Sequence, residues 1–379
     1  MTQEVVRSSM TDVNRAVDDL CSKLNDSVSS YSAIIFFASS SYDFAALSAA
    51  LYSRFPKAEV IGASTAGEIT RDGFAKNSVV LNAISDSRTK FKGVFIDDAD
   101  KFPIVYKKEI CSAAGKIGIS LDSLSSHRDS FAIALICGLR NAEEGILALL
   151  YSLICDPKFI VAGGSAGDDL KFAATYVSYN GRCSDCGSVV LFVKTSCHFE
   201  VVKENIFRKS GKSVMLTDVQ PEKHLIYSID GQSPRKRYAE VLGISEEQVE
   251  NALLDHPFGR AFGDTFFTAS LVQFHPDGSL TTYARVIQDS VQEILEPMDA
   301  VAITEKTCRS LSEKIPDPKC VILFNCILRT IGFEKKGLQS KINAIWRQYF
   351  PMYSGFSTYG EQFGSINSNQ TLVAIVIGE

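Results

Sequence analysis

The residues best placed to do chemistry lie in a glycine-rich turn, Gly163-Gly-Ser165-Ala-Gly167. That spacing matches the nucleophile elbow of serine hydrolases, where strand, sharp turn and helix expose a serine oxygen. Here the turn runs into LKFAATYVSY, which reads as strand, so a hydrolase acting through Ser165 is a remote reading. Asp168-Asp169 is one local acidic pair, not two carboxylates converging from distant segments for acid–base work. Cys183-Ser-Asp-Cys186 is a lone C-x-x-C, whereas structural zinc takes four ligands. No histidine follows Cys186, which excludes c-type haem attachment. The five histidines, His127, His198, His224, His256 and His275, contain no H-x-x-x-H pair. His256 precedes Pro257, Phe258 and Phe262, an aromatic setting that suits an axial haem ligand, although a core histidine at a helix end is the commoner case. Arg260, nearby, offers a planar fork to an anionic ligand group.

These residues sit on a repeated unit. Ala33–Glu68 and Ala132–Asp169 each contain an apolar run, a helical segment with Leu-Tyr-Ser, a second apolar run and a Gly-Ser-Gly-acid turn. A third, diverged copy starts at Val321-Ile-Leu-Phe, carries a helix over about 334–349, and ends in Gly355-Phe-Ser-Thr-Tyr-Gly-Glu361, which matches Gly62–Glu68 at five of seven positions. Continuous apolar runs such as AIIFF and AIALI fit strands buried on both faces, and strand–helix–strand implies parallel pairs. Asn141-Ala-Glu-Glu144 predicts a capping box. Val13, Val17, Leu20 and Leu24 predict an amphipathic N-terminal helix. TFFTASLVQF, Pro276-Asp277-Gly278 and SLTTYARVI predict a β-hairpin. Ser233-Pro234 opens a short helix through Leu242, and Ser245–Gln248 caps another.

The fold class is therefore mixed α/β, with repeated β-α-β-turn-β units forming mixed sheets and an added hairpin subdomain in the C-terminal half. A chain of 379 residues predicts two domains, 1–205 with two repeats and 215–379 with the third, joined by a polar link at 203–212. The apolar share of 45% and charged share of 22% are those of a globular protein, and a net charge of −5 argues against a nucleic-acid binder. No 18-residue apolar run is present, and Met1–Leu20 has no apolar signal core. Several of the ten cysteines, such as Cys137 and Cys326, lie in apolar runs as buried thiols do, so a reducing, cytoplasmic setting is expected.

The triplicated turn has a structural reading, with glycines supplying unusual backbone angles, and a ligand-binding one, since ligands sit beyond the carboxyl ends of parallel strands. In the third copy Phe356 and Tyr359 replace small residues, so the ligand is expected against Gly355, Phe356, Ser357, Thr358, Tyr359, Gly360 and Glu361, with Arg260 on an opposite wall. Aromatic sealing of an interface between domains is the alternative.

IGASTAGEI (Ile61–Ile69), GGSAGDD (Gly163–Asp169), Ile229-Asp-Gly-Gln-Ser-Pro234, HPFG (His256–Gly259), Asp277-Gly278 and Asn369-Gln-Thr-Leu372, in that order, resemble the FIST N-terminal and C-terminal modules over nearly the whole chain. The resemblance implies a non-catalytic sensor that binds a small molecule such as an amino acid or amine. It also implies a separate signalling partner, such as a histidine kinase or a cyclic-dinucleotide enzyme. No nucleic acid, membrane or obligate cofactor is implied. Some members resemble haem-binding nitric-oxide sensors, and in that case His256 is the expected iron ligand.

Overall fold

The computed structural model describes residues 1–25, 30–262 and 265–379. These form two compact units: residues 1–204, 304–367 and 372–379, and residues 205–303 with 368–371. The third repeat thus belongs with the first two, a different division from 1–205 and 215–379.

The first unit is three modules. Module one contains β1 (Thr2–Ser8), α1 (Val13–Ser22), β2 (Ala33–Ser39), α2 (Phe44–Arg54), β3 (Glu59–Thr65), β4 (Glu68–Thr70), β5 (Gly73–Ala75) and β6 (Val79–Ser85). Module two contains β7 (Thr89–Ile96), α3 (Lys107–Lys116), β8 (Ser130–Cys137), α4 (Glu143–Leu153), β9 (Val161–Ala166), β10 (Val177–Tyr179), β11 (Arg182–Ser184) and β12 (Ser188–Thr195). Module three opens with β13 (His198–Asn205). The second unit follows: β14 (Phe207–Gln220), β15 (Leu225–Ile229), α5 (Pro234–Leu242), α6 (Val249–Ala252), β16 (Phe258–Phe262), β17 (Thr265–Ala269), β18 (Leu271–Phe274), β19 (Leu280–Thr282) and β20 (Ser290–Pro297). Module three then resumes with α7 (Ala300–Lys314), β21 (Pro318–Cys326), α8 (Ile327–Lys335), α9 (Gln339–Tyr349), β22 (Ser354–Thr358), β23 (Glu361–Phe363), β24 (Ile366–Ser368) and β25 (Thr371–Gly378).

Each module forms an equivalent sheet whose last two strands come from another module. The orders are β1-β6-β2-β3-β10-β11, β7-β12-β8-β9-β23-β24 and β13-β25-β21-β22-β4-β5. The pairs β2–β3, β8–β9 and β21–β22 are parallel, as strand–helix–strand requires. β2 and β8 are buried along their whole length, which fits their being apolar but for Ser39 and Ser130. Their inner faces share one core with module three, including Ile35, Phe37, Ile133, Leu135, Ile322 and Phe324. Their outer faces pack under helices: Phe36 and Val60 with α1 and α2, and Ile136 and Val190 with α3 and α4.

Local signals explain several helix starts. Asp12 and Asp43 accept hydrogen bonds from the amides of Arg15 and Ala46, capping α1 and α2. Ser245 and Gln248 form the expected capping box. The box expected at Asn141–Glu144 does not form. α4 starts without a side-chain cap, Asn141 sits at φ +52°, and the Glu143 carboxyl turns toward Ser165 instead. The helix expected over about 334–349 is two helices, α8 and α9, separated at Gly337, whose φ is +65°.

The second unit is an antiparallel seven-stranded sheet among the described residues, ordered β17-β16-β20-β14-β15-β19-β18. The expected polar link at 203–212 is strand, divided between β13 and β14. β14 lies between two neighbours yet keeps exposed positions, and its register shifts between Lys209 and Lys212, so polar alternation there mimics a linker. The hairpin around Asp277 is β18 with β19, whereas β17 pairs with β16.

Candidate functional site

The three turns interlock in one ring. Ser64, Ser165 and Ser357 close β3, β9 and β22 at equivalent positions. The amide of Ala66 donates to the carbonyl of Ser357 at 3.1 Å, that of Gly167 to Ser64 at 2.9 Å, and that of Tyr359 to Ser165 at 3.0 Å. The first glycine of each motif permits the parallel pairing beside it. A Cβ on Gly163 would lie 1.8 Å from the Ala134 carbonyl oxygen, one on Gly355 2.2 Å from that of Leu323, and one on Gly62 2.3 Å from the Phe36 ring.

The serine hydroxyls are all engaged by buried partners. Ser64 Oγ donates to Gly167 O at 2.7 Å. Ser165 Oγ donates to Glu143 Oε1 at 2.8 Å and accepts from Gln362 Nε2 at 3.0 Å. Ser165 is fully buried within β9, and the next element is β10, so the strand–turn–helix geometry of a nucleophile elbow is not formed.

The expected ligand surface at Gly355–Glu361 is likewise turned inward. Phe356 packs 4.6 Å from the Phe37 ring and 5.9 Å from Phe324, because it falls on the core face of β22. The Thr358 hydroxyl donates to buried Glu361. Tyr359 donates to Asp168 and stacks on exposed Phe172 at 5.7 Å. Ser357, on the other face of the strand, shares a 2.9 Å hydrogen bond with Thr330, which accepts from Asn325 Nδ2 at 2.9 Å.

Asn325 leads to a pocket that sequence reading missed. It lies on the outer face of the third sheet, under α8 and α9. Its walls include Asn325, Arg329, Asn343, Trp346 and Tyr353, with Ile69 and Phe74 from the arm of module one. Its free volume is about 10 Å³, room for about one water molecule. The polar wall is particular to this module. Asn325 pairs with Ser357 as Ala38 pairs with Ser64 and Ile136 with Ser165, and both counterparts are apolar. Behind it, buried Arg329 forms an ion pair with buried Glu204, and its Nε donates to Asn325 Oδ1 at 3.0 Å. The signal was legible as Asn-Cys where the sister strands read Ala-Ser and Ile-Cys.

A model of the FIST N domain matches residues 32–232, and one of the FIST C domain matches residues 235–364. The chain belongs to the FIST family. FIST domains are sensory domains of signal transduction that bind small ligands. No curated protein matches this FIST chain. Among solved structures, it is similar to a cyanuic acid hydrolase from A. caulinodans, at 7% identity over 51% of this chain and 71% of that one, with a TM-score of 0.28, a likeness that carries no argument. Among the described residues, no helix of the FIST chain is long and apolar enough to cross a membrane.

The remaining sequence candidates lie in the FIST C region. Arg260 sits on β16 of the second unit, a different unit from Gly355–Glu361. His256 Nδ1 lies 3.0 Å from Leu295 O, and its own carbonyl accepts from Tyr238 at 2.8 Å. An open groove of about 580 Å³ runs past Ser233, Arg235, Phe274 and His275–Gly278. There the Arg235 guanidinium is already engaged by Glu250 at 2.6 Å and by Glu246 O at 3.0 Å, over the Phe274 ring. Among the described residues no cluster of three or more metal-ligating side chains occurs, and no two cysteines are joined in a disulfide.

Two buried acids of the FIST N region set a pH dependence. Burial pushes Glu68 up to about 7 against the opposing donors Ser78 and Thr65, and burial together with Glu144 pushes Glu143 up to about 7. Their ordinary value is 4.5, so between these limits the folded chain holds protons that the unfolded chain has released. Stability is therefore expected to fall as pH rises through that window. Urea midpoints measured from about pH 5 to about pH 8 read this slope, and Glu68→Gln should flatten it. An unchanged slope in that variant would assign the pH dependence elsewhere.

Proposed function

We propose that this FIST chain is a cytoplasmic, non-catalytic sensor that binds a small ligand in the pocket of module three and acts on a separate signalling protein, such as a histidine kinase or a cyclic-dinucleotide enzyme. The observation that carries this reading is the departure from the repeat. Two modules build the layer between sheet and helices mainly from apolar side chains, while the third places Asn325, Arg329, Asn343 and Tyr353 around a cavity. Mostly apolar walls with a few fixed polar groups are what ligand pockets show. The pocket also has walls from two modules, so an occupant bears on both.

A metabolite screen by thermal shift tests this. A ligand at about 100 times its dissociation constant adds about 2.7 kcal/mol of apparent stability. Trp346→Phe and Tyr353→Phe should reduce that shift. If instead Ser357→Ala or Glu361→Gln removes it while both pocket variants keep it, the site is the turn Gly355–Glu361.

A haem reading has one supporting observation. The contact between His256 Nδ1 and Leu295 O leaves Nε2 as the ring nitrogen for an iron. Neither pocket described above has His256 in its wall, so the haem slot is not matched, and nothing further is derived through haem. A Soret band in haem-supplied protein that is lost in His256→Ala would establish this alternative.

A further inference from the structure

We propose that the pocket of module three takes a small organic anion, its carboxylate received by Arg329. The inference rests on the pocket being the ligand site and adds the ligand's charge.

The polar groups of the pocket are nearly all committed. Asn343 Nδ2 donates to Arg71 O at 3.0 Å, and its Oδ1 accepts from Tyr353 at 2.7 Å. Asn325 Nδ2 donates to Cys326 O at 3.2 Å and Thr330 Oγ1 at 2.9 Å, and its Oδ1 accepts from Arg329 Nε. Arg329 itself is about 2% exposed. Its Nη2 is taken by Glu204, and its side chain lies 5.1 Å from the Phe333 ring. Its Nη1 is buried without a hydrogen-bond partner among the described residues, as is Oε2 of its ion-pair partner Glu204. Arginine stays protonated, so this nitrogen presents two donors and no acceptor. A buried donor of a charged group left unpaired is costly, and a carboxylate is its strongest partner.

The remaining walls decide the rest of the ligand. Ile69, Phe74, Leu323, Ile342, Trp346 and Leu372 favour an apolar body. Among the described wall side chains, Asn325 Oδ1 and Asn343 Oδ1 each already accept a hydrogen bond, so the site is better suited to an anion than to an ammonium group. The present volume admits about one water, so the smallest acids enter first, and larger ones require α9 to move outward.

The test uses the full chain and matched pairs of probes: formate with formamide, acetate with acetamide, and benzoate with benzamide. Sodium chloride at equal ionic strength is the control. Binding is read by calorimetric titration and by the perturbation of Trp346 fluorescence, Trp346 being the chain's sole tryptophan. The acids should bind at least about tenfold more tightly than their amides, the span expected for a hydrogen bond to a charged group. Because Arg329→Met alone strands Glu204, the comparison is the paired variant Arg329→Met with Glu204→Leu, alongside Arg329→Lys. The paired variant should lose the preference for acids, while Arg329→Lys keeps part of it. Amides binding as tightly as acids, acids bound equally well by the paired variant, or no acid binding at all would each overturn the inference. The pocket reading falls separately, if a screened metabolite binds with no dependence on Trp346 and Tyr353.

Discussion

Glu204→Gln is expected to destabilise the protein by roughly 3–5 kcal/mol, the cost of leaving a buried charge without its partner. Glu204 and Arg329 are both essentially inaccessible, and Thr304 Oγ1 donates to the same carboxylate at 3.1 Å. An amide keeps the shape but removes the charge that offsets the guanidinium. Replacing both partners, as in Glu204→Leu with Arg329→Met, should cost much less, because two apolar side chains of similar size need no compensation. Urea denaturation followed by circular dichroism measures the difference. Two compact units permit two transitions, and the loss should appear in the one belonging to the three-module unit. Equal destabilisation by the single and the paired variants would mean that packing, not charge, is what the pair supplies.

A chain ending at residue 205 is expected not to fold, although it contains two complete repeats. Its second sheet loses β23 and β24, leaving β9 as a bare edge, and its arm β4–β5 loses the strand it pairs with, β22. The shared core loses Ile322, Phe324, Phe356, Val373, Ile375 and Ile377. Apolar strands with open edges associate with other chains. The fragment should therefore elute as aggregate in size-exclusion chromatography and lack cooperative thermal unfolding. A monomeric fragment with a sharp transition would show that modules one and two are autonomous.

Much of this architecture is legible in local pattern. Parallel strands, the three turns, the N-terminal helix and the Ser245 cap each follow from spacing or from a single side-chain-to-backbone bond. The exchange of arms is not legible, because β4, β10 and β23 follow their own turns in sequence and nothing local says which sheet receives them. The site misled for a related reason. Phe356 and Tyr359 are too large for a solvent turn, and sequence offers both a pocket and a core to hold them. Alternation along β22 sends Phe356 to the core. The pocket depends on Arg329, Trp346 and Tyr353 converging from separate elements, and in sequence each reads as an ordinary core or surface residue. Asn325 could have been noticed as the one polar intrusion at that step of the three first strands.

The passing of arms around the three modules has a counterpart in assemblies of separate chains. Three copies of one module trading the same arm would make a closed ring with threefold symmetry, in which any feature of one protomer must occur three times. Joining the copies into one polypeptide removes that obligation. Each module is free to diverge while its neighbours keep the scaffold intact. Here one copy has accepted the insertion of an entire second unit after β13, and the same copy carries an arginine, a glutamate and an asparagine in the layer beneath its helices. Fusion thus lets one module carry a polar-walled cavity on a frame whose geometry would otherwise repeat it three times.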